Sequence, residues 1–277
     1  MEPGGDPVLG PLLPAVWHIF DSAGSPVLDL DKLADYCRSL LPATEVVVHG
    51  DFFAYCLKEL KEIDALEVKD SIAARIAAAR VIDPNIPAGT GRPIQSAVAY
   101  ERKMLDRDLP RPVGVFYDGF DLCLALRALW CFSGRPADDR VVVFTNQLFG
   151  TMEEYENRYH ARVSIYGHPC LISTTGLVQA PARPREEYVW RSPGGSAARA
   201  RSGEERFLTA DDPRTSEVLK RYLAQAVFYC STGEPFCADR TCRLYNAHWQ
   251  EELLDTQTGG DFCENHHNLL RQMQMGA

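Results

Sequence analysis

Short apolar runs alternate with segments of helical periodicity along most of this chain. Apolar side chains spaced along one helical face predict helices at residues 29–41, 52–62, 67–82 and 120–132. Six runs rich in β-branched and aromatic residues predict strands at residues 16–21, 45–49, 112–117, 140–144, 160–166 and 170–178. The run 140–144 is nearly all apolar, which is typical of an interior parallel strand. The alternation predicts an α/β (α+β) fold in which helices pack on a mixed sheet.

Two stretches break this pattern and are predicted to be loops. Residues 83–95 hold three prolines and two glycines, and residues 191–206 consist mainly of Gly, Ser, Ala, Arg and Glu. Between the first loop and residue 111 the chain is charged, and no regular element is predicted there. The length of 277 residues allows one sizeable core, and we expect a single domain over residues 1–277.

One further helix is predicted from Asp212 to Cys230. Asp212 is a favourable N-cap residue, and Pro213 suits the first turn of a helix. The buried face is expected to follow the 3.6-residue spacing of the apolar side chains. These are Leu219, Leu223, Ala226, Val227 and Cys230.

Four residues with the spacing of metal ligands follow this helix, within residues 236–270. Cys237 and Cys242 lie five positions apart, and Cys263 and His266 form a Cys-x-x-His pair further along. Thiolates and an imidazole suit a tetrahedral zinc ion, and four protein ligands close such a site to water. The spacing predicts one structural zinc ion per chain, with His267 as the alternative fourth ligand. The competing interpretation, ordinary core cysteines, leaves the correctly spaced histidine unexplained.

The same region resembles the archaemetzincins, a branch of the metzincin zinc peptidases. Their active-site motif HExxHxxGxxHC continues with four residues and a cysteine, and roughly twenty residues later with a Cys-x-x-Cys pair. Here Gly233 falls on the glycine of the motif, and His266 replaces the last cysteine. The three histidines and the catalytic glutamate are replaced by Ala226, Cys230, Phe236 and Val227, respectively. The resemblance implies a metzincin-like architecture with a C-terminal structural zinc subdomain and a lost or rebuilt catalytic centre.

An ordinary metzincin needs two imidazoles one helical turn apart and a glutamate that takes a proton from zinc-bound water. The chain lacks both, so a catalytic centre would have to use other side chains. Cys230 is a candidate nucleophile if an imidazole lies near it, and His160 and His168 are candidate partners. The simpler interpretation makes Cys230 a small core residue and places the histidines on solvated or ion-paired surfaces. Whether the chain is an enzyme stays open.

Three functions are compatible with these residues. The first is an archaemetzincin-like hydrolase with a rebuilt catalytic centre. The second is a small-molecule enzyme that reuses the cleft, and the third is a noncatalytic module that binds a peptide or protein. In the metzincin arrangement an edge strand before the active helix pairs with extended substrate, which predicts residues 170–178 for that role.

Composition narrows the partners and the compartment. A net charge of −9 argues against nucleic acids and anionic membrane surfaces as partners. No apolar run approaches eighteen residues, and the first residues lack the features of a signal peptide. Nine cysteines, an odd number, suit core thiols and metal ligands in a reducing compartment. We therefore expect a cytoplasmic protein without a membrane segment.

Overall fold

A five-stranded sheet lies at the centre of the computed structural model, which describes residues 16–107, 109–185 and 207–275. Its strands run in the order β2-β1-β4-β8-β7, and β7 alone is antiparallel to its neighbour. A smaller sheet has the order β3-β5-β6, with β3 and β5 parallel and β5 and β6 antiparallel. The strands are β1 (Trp17–Ser22), β2 (Val46–His49), β3 (Phe116–Asp118), β4 (Arg140–Thr145), β5 (Leu148–Glu153), β6 (Arg158–Arg162), β7 (Ser164–Ile165) and β8 (Cys170–Ser173).

Helices cover both faces of the larger sheet, which confirms the predicted α/β class with mixed sheets. None of the helices in the described ranges is both long and apolar enough to cross a membrane. They are α1 (Leu30–Leu40), α2 (Phe52–Lys58), α3 (Glu62–Ala78), α4 (Gln95–Leu105), α5 (Gly119–Phe132), α6 (Thr174–Gln179), α7 (Thr215–Thr232), α8 (Gln250–Gly259) and α9 (Glu264–Met275).

Two hydrophobic clusters separate on the two faces of the larger sheet. Alternate residues of a strand point to opposite faces, so Ile19 packs against α1 and α7 while Phe20 packs against α2, α3 and α5. The first cluster also contains the C-terminal segment with Leu244 and Met273. The second is built around Trp130, which is completely buried. The C-terminal segment therefore belongs to the same core as helix α7.

Four predicted elements differ from the structure in ways that matter for the site. Strand 160–166 divides at Val163 into β6 and β7, which belong to different sheets. Strand 170–178 ends at Ser173, because the Ser173 hydroxyl accepts a hydrogen bond from the Gly176 amide, 2.8 Å away, and starts α6. Strand 112–117 reduces to the three residues of β3, and helix 67–82 begins already at Glu62. The predicted loop 191–206 lies outside the described residues.

The charged stretch before residue 111 contains helix α4, which was not predicted. Its Glu101 side chain is completely buried and is held by the guanidinium groups of Arg80 and Arg111. The Tyr117 hydroxyl also donates a hydrogen bond to the same carboxylate, at 3.0 Å. This buried network joins α3, α4, β3 and the segment that follows α4. Its charged residues hide the apolar periodicity by which helices are recognised.

Loss of the Glu101 carboxylate is expected to destabilise the fold strongly. Glu101→Ala leaves two arginines in the interior without their counter-ion, a change that typically costs about 3–5 kcal/mol. Asp70→Asn is the matched control, because Asp70 pairs with Arg102 of α4 at the surface, where such pairs contribute about 0–1 kcal/mol. Urea unfolding measures both variants, and similar free energies of unfolding would contradict the role given to the network.

A second polar chain links the beginning of β4 to β1 and β2. His18 Nε2 lies 3.2 Å from a carboxylate oxygen of Asp139, and His18 Nδ1 lies 2.8 Å from His49 Nε2. An ionised carboxylate only accepts, so His18 Nε2 donates to Asp139. Burial, together with His18 and Arg135 nearby, lowers the pKa of His49 to about 4. The imidazole of His49 is therefore held in the neutral form around neutral pH.

The low pKa of His49 in this hydrogen-bonded group predicts a loss of folding stability in acid. The folded-state pKa of His49 lies below its ordinary value of 6.5, so the unfolded chain binds a proton between about pH 6.5 and 4 and the folded chain does not. Thermal stability should fall as the pH drops through this window. His49→Gln should flatten part of that slope. His160→Gln, at an exposed histidine, should leave the slope unchanged. Equal slopes in all three proteins would refute the assignment.

Candidate metal centre and adjacent cavity

The four predicted metal ligands meet at one point, called here the Cys3His group. The ligand atoms of Cys237, Cys242, Cys263 and His266 all lie within 4.8 Å of one another. The Sγ atoms of Cys237 and Cys263 are 3.9 Å apart, and His266 Nδ1 lies 3.7 Å from Cys242 Sγ. A tetrahedral ion at about 2.3 Å from each sulfur would separate two sulfur atoms by about 3.8 Å. The group therefore fits a four-coordinate metal ion.

The first two ligands lie at the ends of a tight turn. The Asp239 carboxylate accepts hydrogen bonds from the Thr241 amide and hydroxyl, both at 2.8 Å, and the Cys242 amide donates to the Asp239 carbonyl. The Asp239 amide points to Cys237 Sγ at 3.4 Å, which favours a negatively charged sulfur. The Cys237 amide also donates to the Leu244 carbonyl at 2.9 Å. These bonds aim both sulfur atoms at the same point.

The other two ligands come from the beginning of α9. Cys263 directly precedes the helix and His266 lies in its first turn, so three-residue spacing brings them to the same side. His267 points elsewhere, because its Nε2 lies 3.3 Å from an Asp261 carboxylate oxygen and 40% of its side chain is exposed. His266 packs against the ring of Phe228. The geometry therefore places His266, and not His267, beside the three sulfur atoms.

The electrostatics of the Cys3His group favour a bound cation. Burial raises the pKa of the Cys242 thiol to about 12, and that of Cys237 is raised as well. Burial lowers the pKa of His266, which keeps its imidazole in the neutral form that ligates metals. Three sulfur atoms this close can all ionise only if a cation compensates their charge, so metal binding would displace their protons.

A cavity of about 520 Å³ lies next to the Cys3His group. One face of α7 forms one wall, the segment 161–166 a second, and residues on either side of Cys237 and Cys242 a third. Its described lining residues are Phe120, Thr151, Ala161, Arg162, Val163, Ser164, Ile165, Tyr166, Ala180, Pro181, Arg221, Tyr222, Gln225, Tyr229, Pro235, Phe236, Asn246, Ala247 and His248.

Gln225 connects the cavity to the metal segment. Its side-chain oxygen accepts a hydrogen bond of 2.6 Å from the Tyr166 hydroxyl, and its amide nitrogen donates to the Leu244 carbonyl at 3.4 Å. Leu244 in turn accepts from the Cys237 amide. One side chain of α7 therefore contacts both the wall 161–166 and the turn that carries two ligands. Tyr222, Gln225 and Tyr229 form a polar stripe at helical spacing, the sequence signal that could have revealed this face.

The α7 residues at the positions that would carry catalytic side chains in the archaemetzincin motif do not line the cavity. Ala226 and Val227 are completely buried in the first hydrophobic cluster, and Cys230 packs against the same cluster. Only Phe236, at the position of the third histidine, lines the cavity. Gly233 ends α7 at a positive φ of 81°, a conformation that suits glycine and turns the chain toward the metal ligands.

The three candidate catalytic residues lie apart and do not line the cavity. His160 on β6 pairs with the Glu156 carboxylate at 2.7 Å. His168 donates from Nε2 to the Ala137 carbonyl at 3.0 Å in the turn before β8. A hydrogen bond with the Cys170 thiol lowers the pKa of Cys230, but no imidazole is among the groups that act on it. The structure does not assemble these residues into a catalytic group.

The predicted strand 170–178 does not form a sheet edge. β8 lies between β4 and β7, so its backbone groups are used on both sides, and residues 174–179 are helical. Two sheet edges belong to the preceding segment, because β6 ends the smaller sheet and β7 ends the larger one, and β2 and β3 form the opposite edges. Residues 161–166 of that segment line the cavity. The pairing surface next to the cavity is therefore the segment 158–166.

Residues 14–273 match a family described as "Probable metallopeptidase family (DUF6775)". The match covers nearly all of the chain, and the chain belongs to this family. No curated protein and no solved structure matches the chain at a significant level. Family membership and the Cys3His group together define a probable metallopeptidase relative with a site that could hold a metal ion.

Single replacements should identify the ligands. Cys242→Ser and His266→Ala are expected to lower the bound metal from one ion per chain to well below one, with a lower melting temperature, because three ligands hold an ion less firmly than four. His267→Ala is the matched control and should retain the metal. Elemental analysis of the purified variants measures the content. Full metal content in Cys242→Ser, or loss in His267→Ala but not in His266→Ala, would contradict the assignment.

Proposed function

We propose that this chain is a zinc-stabilised, noncatalytic member of its family that binds an extended peptide. The observation that carries the proposal is the cavity wall at 161–166, a free sheet edge that faces the helix on which a metzincin would present its catalytic ligands. On that helix the cavity meets Tyr222, Gln225 and Tyr229 instead. A binding cleft is present, and the side chains for metal-dependent hydrolysis are replaced.

Zinc is the metal that best suits the Cys3His group, because three thiolates and one imidazole are soft and borderline ligands in a tetrahedral arrangement. A bound ion would be structural, since four protein ligands leave no coordination position for a reacting water. Its role would be to fix the segment 235–248, which supplies Phe236, Asn246 and His248 to the cavity. Within the described residues no second group of three or more His, Cys, Asp or Glu side chains is placed to hold a metal.

Strand addition explains how a peptide would be held. The Val163 carbonyl accepts from the Ser173 amide at 2.7 Å, so Val163 faces β8. Because backbone groups alternate along a strand, the amide and carbonyl of Ser164 face away from β8 and are available to another strand. Main-chain pairing supplies affinity, and the cavity receives a side chain of the ligand. Aromatic rings at the rim, Phe120 and Phe236, are partly exposed and add apolar contact area.

The first alternative is a hydrolase whose rebuilt catalytic centre uses Cys230, His160 and His168. The distances do not favour it, because His160 and His168 have their own partners and Cys230 packs in the core. A small-molecule enzyme would use the same cavity, whose volume lies in the range of small-ligand sites. Both alternatives predict turnover, whereas the proposal predicts binding without turnover.

The backbone of Ser164 provides the test. Ser164→Pro removes the outward N–H without removing a side chain from the core, and should weaken peptide binding about tenfold or more. Ser164→Thr keeps both the N–H and the hydroxyl and is the matched control. Peptide arrays select binders, and fluorescence polarisation measures them with the zinc-replete full chain. Melting temperature and metal content show whether each variant folds.

Cleavage is followed on the same peptides by mass spectrometry, with and without added zinc. The expected result is binding without new fragments. Zinc-stimulated proteolysis that Cys230→Ala, His160→Ala or His168→Ala abolishes would replace the proposal with the rebuilt hydrolase. Binding that is equal in Ser164→Pro and Ser164→Thr would refute strand addition.

A further inference from the structure

We infer that the cavity binds a carboxylate group of its peptide ligand, an inference that rests on the proposed peptide binding. The starting point is the charge of the lining. The chain carries 38 acidic and 29 basic residues, for a net charge of −9. The 19 described lining residues nevertheless include no Asp or Glu, and they include Arg162, Arg221 and His248. The described lining therefore carries two arginines and no acidic side chain, in a protein of negative net charge.

Arg221 places positive charge in the interior next to the cavity. It lies on α7 and is 1% exposed, so its guanidinium group has lost most of its hydration. Burial lowers the pKa of Arg221, and the phenols of Tyr222 and Tyr166 are close enough to act on it. A buried guanidinium strengthens every nearby interaction with an anion, because the interior screens charge less than water does.

Arg162 can exchange its present partner for a ligand. Its Nε donates to the Thr151 hydroxyl at 2.8 Å, and its Nη2 pairs with the Glu153 carboxylate. The side chains of this ion pair are 35% and 41% exposed, and surface pairs of this kind contribute little. A carboxylate held inside the cavity is less hydrated than Glu153. Such a group can therefore compete for the guanidinium, which binds carboxylates with two parallel hydrogen bonds.

The neighbouring groups suit the rest of a peptide. Asn246 and the Tyr166 hydroxyl offer neutral hydrogen bonds, and Tyr229 and Phe236 supply aromatic surface. Arg162 directly precedes the segment 163–166, so a strand paired with that segment passes close to its guanidinium group. The carboxylate can come from the C-terminus of the peptide or from an Asp or Glu side chain. A cationic group would be repelled by the same residues.

Matched peptides separate these sources. N-acetylated hexapeptides with apolar and aromatic side chains are made as the free acid, as the C-terminal amide, and as an amide with Glu in the last position. Fluorescence polarisation with the zinc-replete full chain measures affinity at low and at moderate salt. We expect the amide without Glu to bind about tenfold more weakly or worse, as for loss of a charged hydrogen bond. Preference for the free acid identifies a C-terminal carboxylate, and equal binding of the Glu peptide identifies a side chain.

Two variants test the role of Arg162. Arg162→Gln should remove the preference for the carboxylate, whereas Arg158→Gln should keep it. Arg158 is the matched control because it carries the same charge on the same strand, is exposed, and does not line the cavity. Equal affinity for the acid and both amides would overturn the inference and leave peptide binding in place. Failure of every peptide to bind would refute the proposed function itself. A preference unchanged in Arg162→Gln but lost in Arg158→Gln would also overturn it.

Discussion

Convergence of three thiols and one imidazole is the constraint on which the functional half of the molecule depends. The C-terminal segment packs into the first hydrophobic cluster through Leu244 and Met273, and its ligand-bearing part is shaped by the turn at Asp239 and by the hydrogen bond from Cys237 to Leu244. Three sulfur atoms at these distances would repel one another as thiolates. A metal ion would remove this repulsion, since it would replace the thiol protons and hold the turn and the beginning of α9 together. One wall of the cavity is built from the same segment.

The residues that resemble the archaemetzincin motif serve architecture in this structure. Gly233 ends α7 in a left-handed conformation, and Cys237 and Cys242 follow it. The helical positions that would carry imidazole and carboxylate hold Ala226, Val227 and Cys230, which pack in the core. A large residue introduced at these positions would meet other core side chains rather than a cleft. The face of the helix that borders the cavity is a different one, with Gln225 at its centre.

Much of the fold could be predicted from the sequence, where burial and periodicity agree. Strands β1, β2 and β4 and helices α1, α5 and α7 lie within a few residues of their predicted positions, because each buries one continuous apolar face or run. Helix α4 was missed because its buried face contains Glu101, whose partners Arg80 and Arg111 lie outside the helix. Strand 160–166 was recognised, but its division at Val163 follows from the pairing with β5 and β8. The convergence of the Cys3His group could be predicted from spacing alone. The cavity could not, because its walls come from separate segments.

The division at Val163 has a consequence for any molecule that binds there. β6 and β7 are consecutive along one extended segment, yet one completes the smaller sheet and the other the larger. Val163 and Ile165 also point into different hydrophobic clusters. A peptide strand that pairs with this segment would extend both sheets at once. It would also lie against residues that pack in both hydrophobic clusters. Binding at this edge would therefore change the rigidity of both sheets and of both clusters, rather than of one sheet alone.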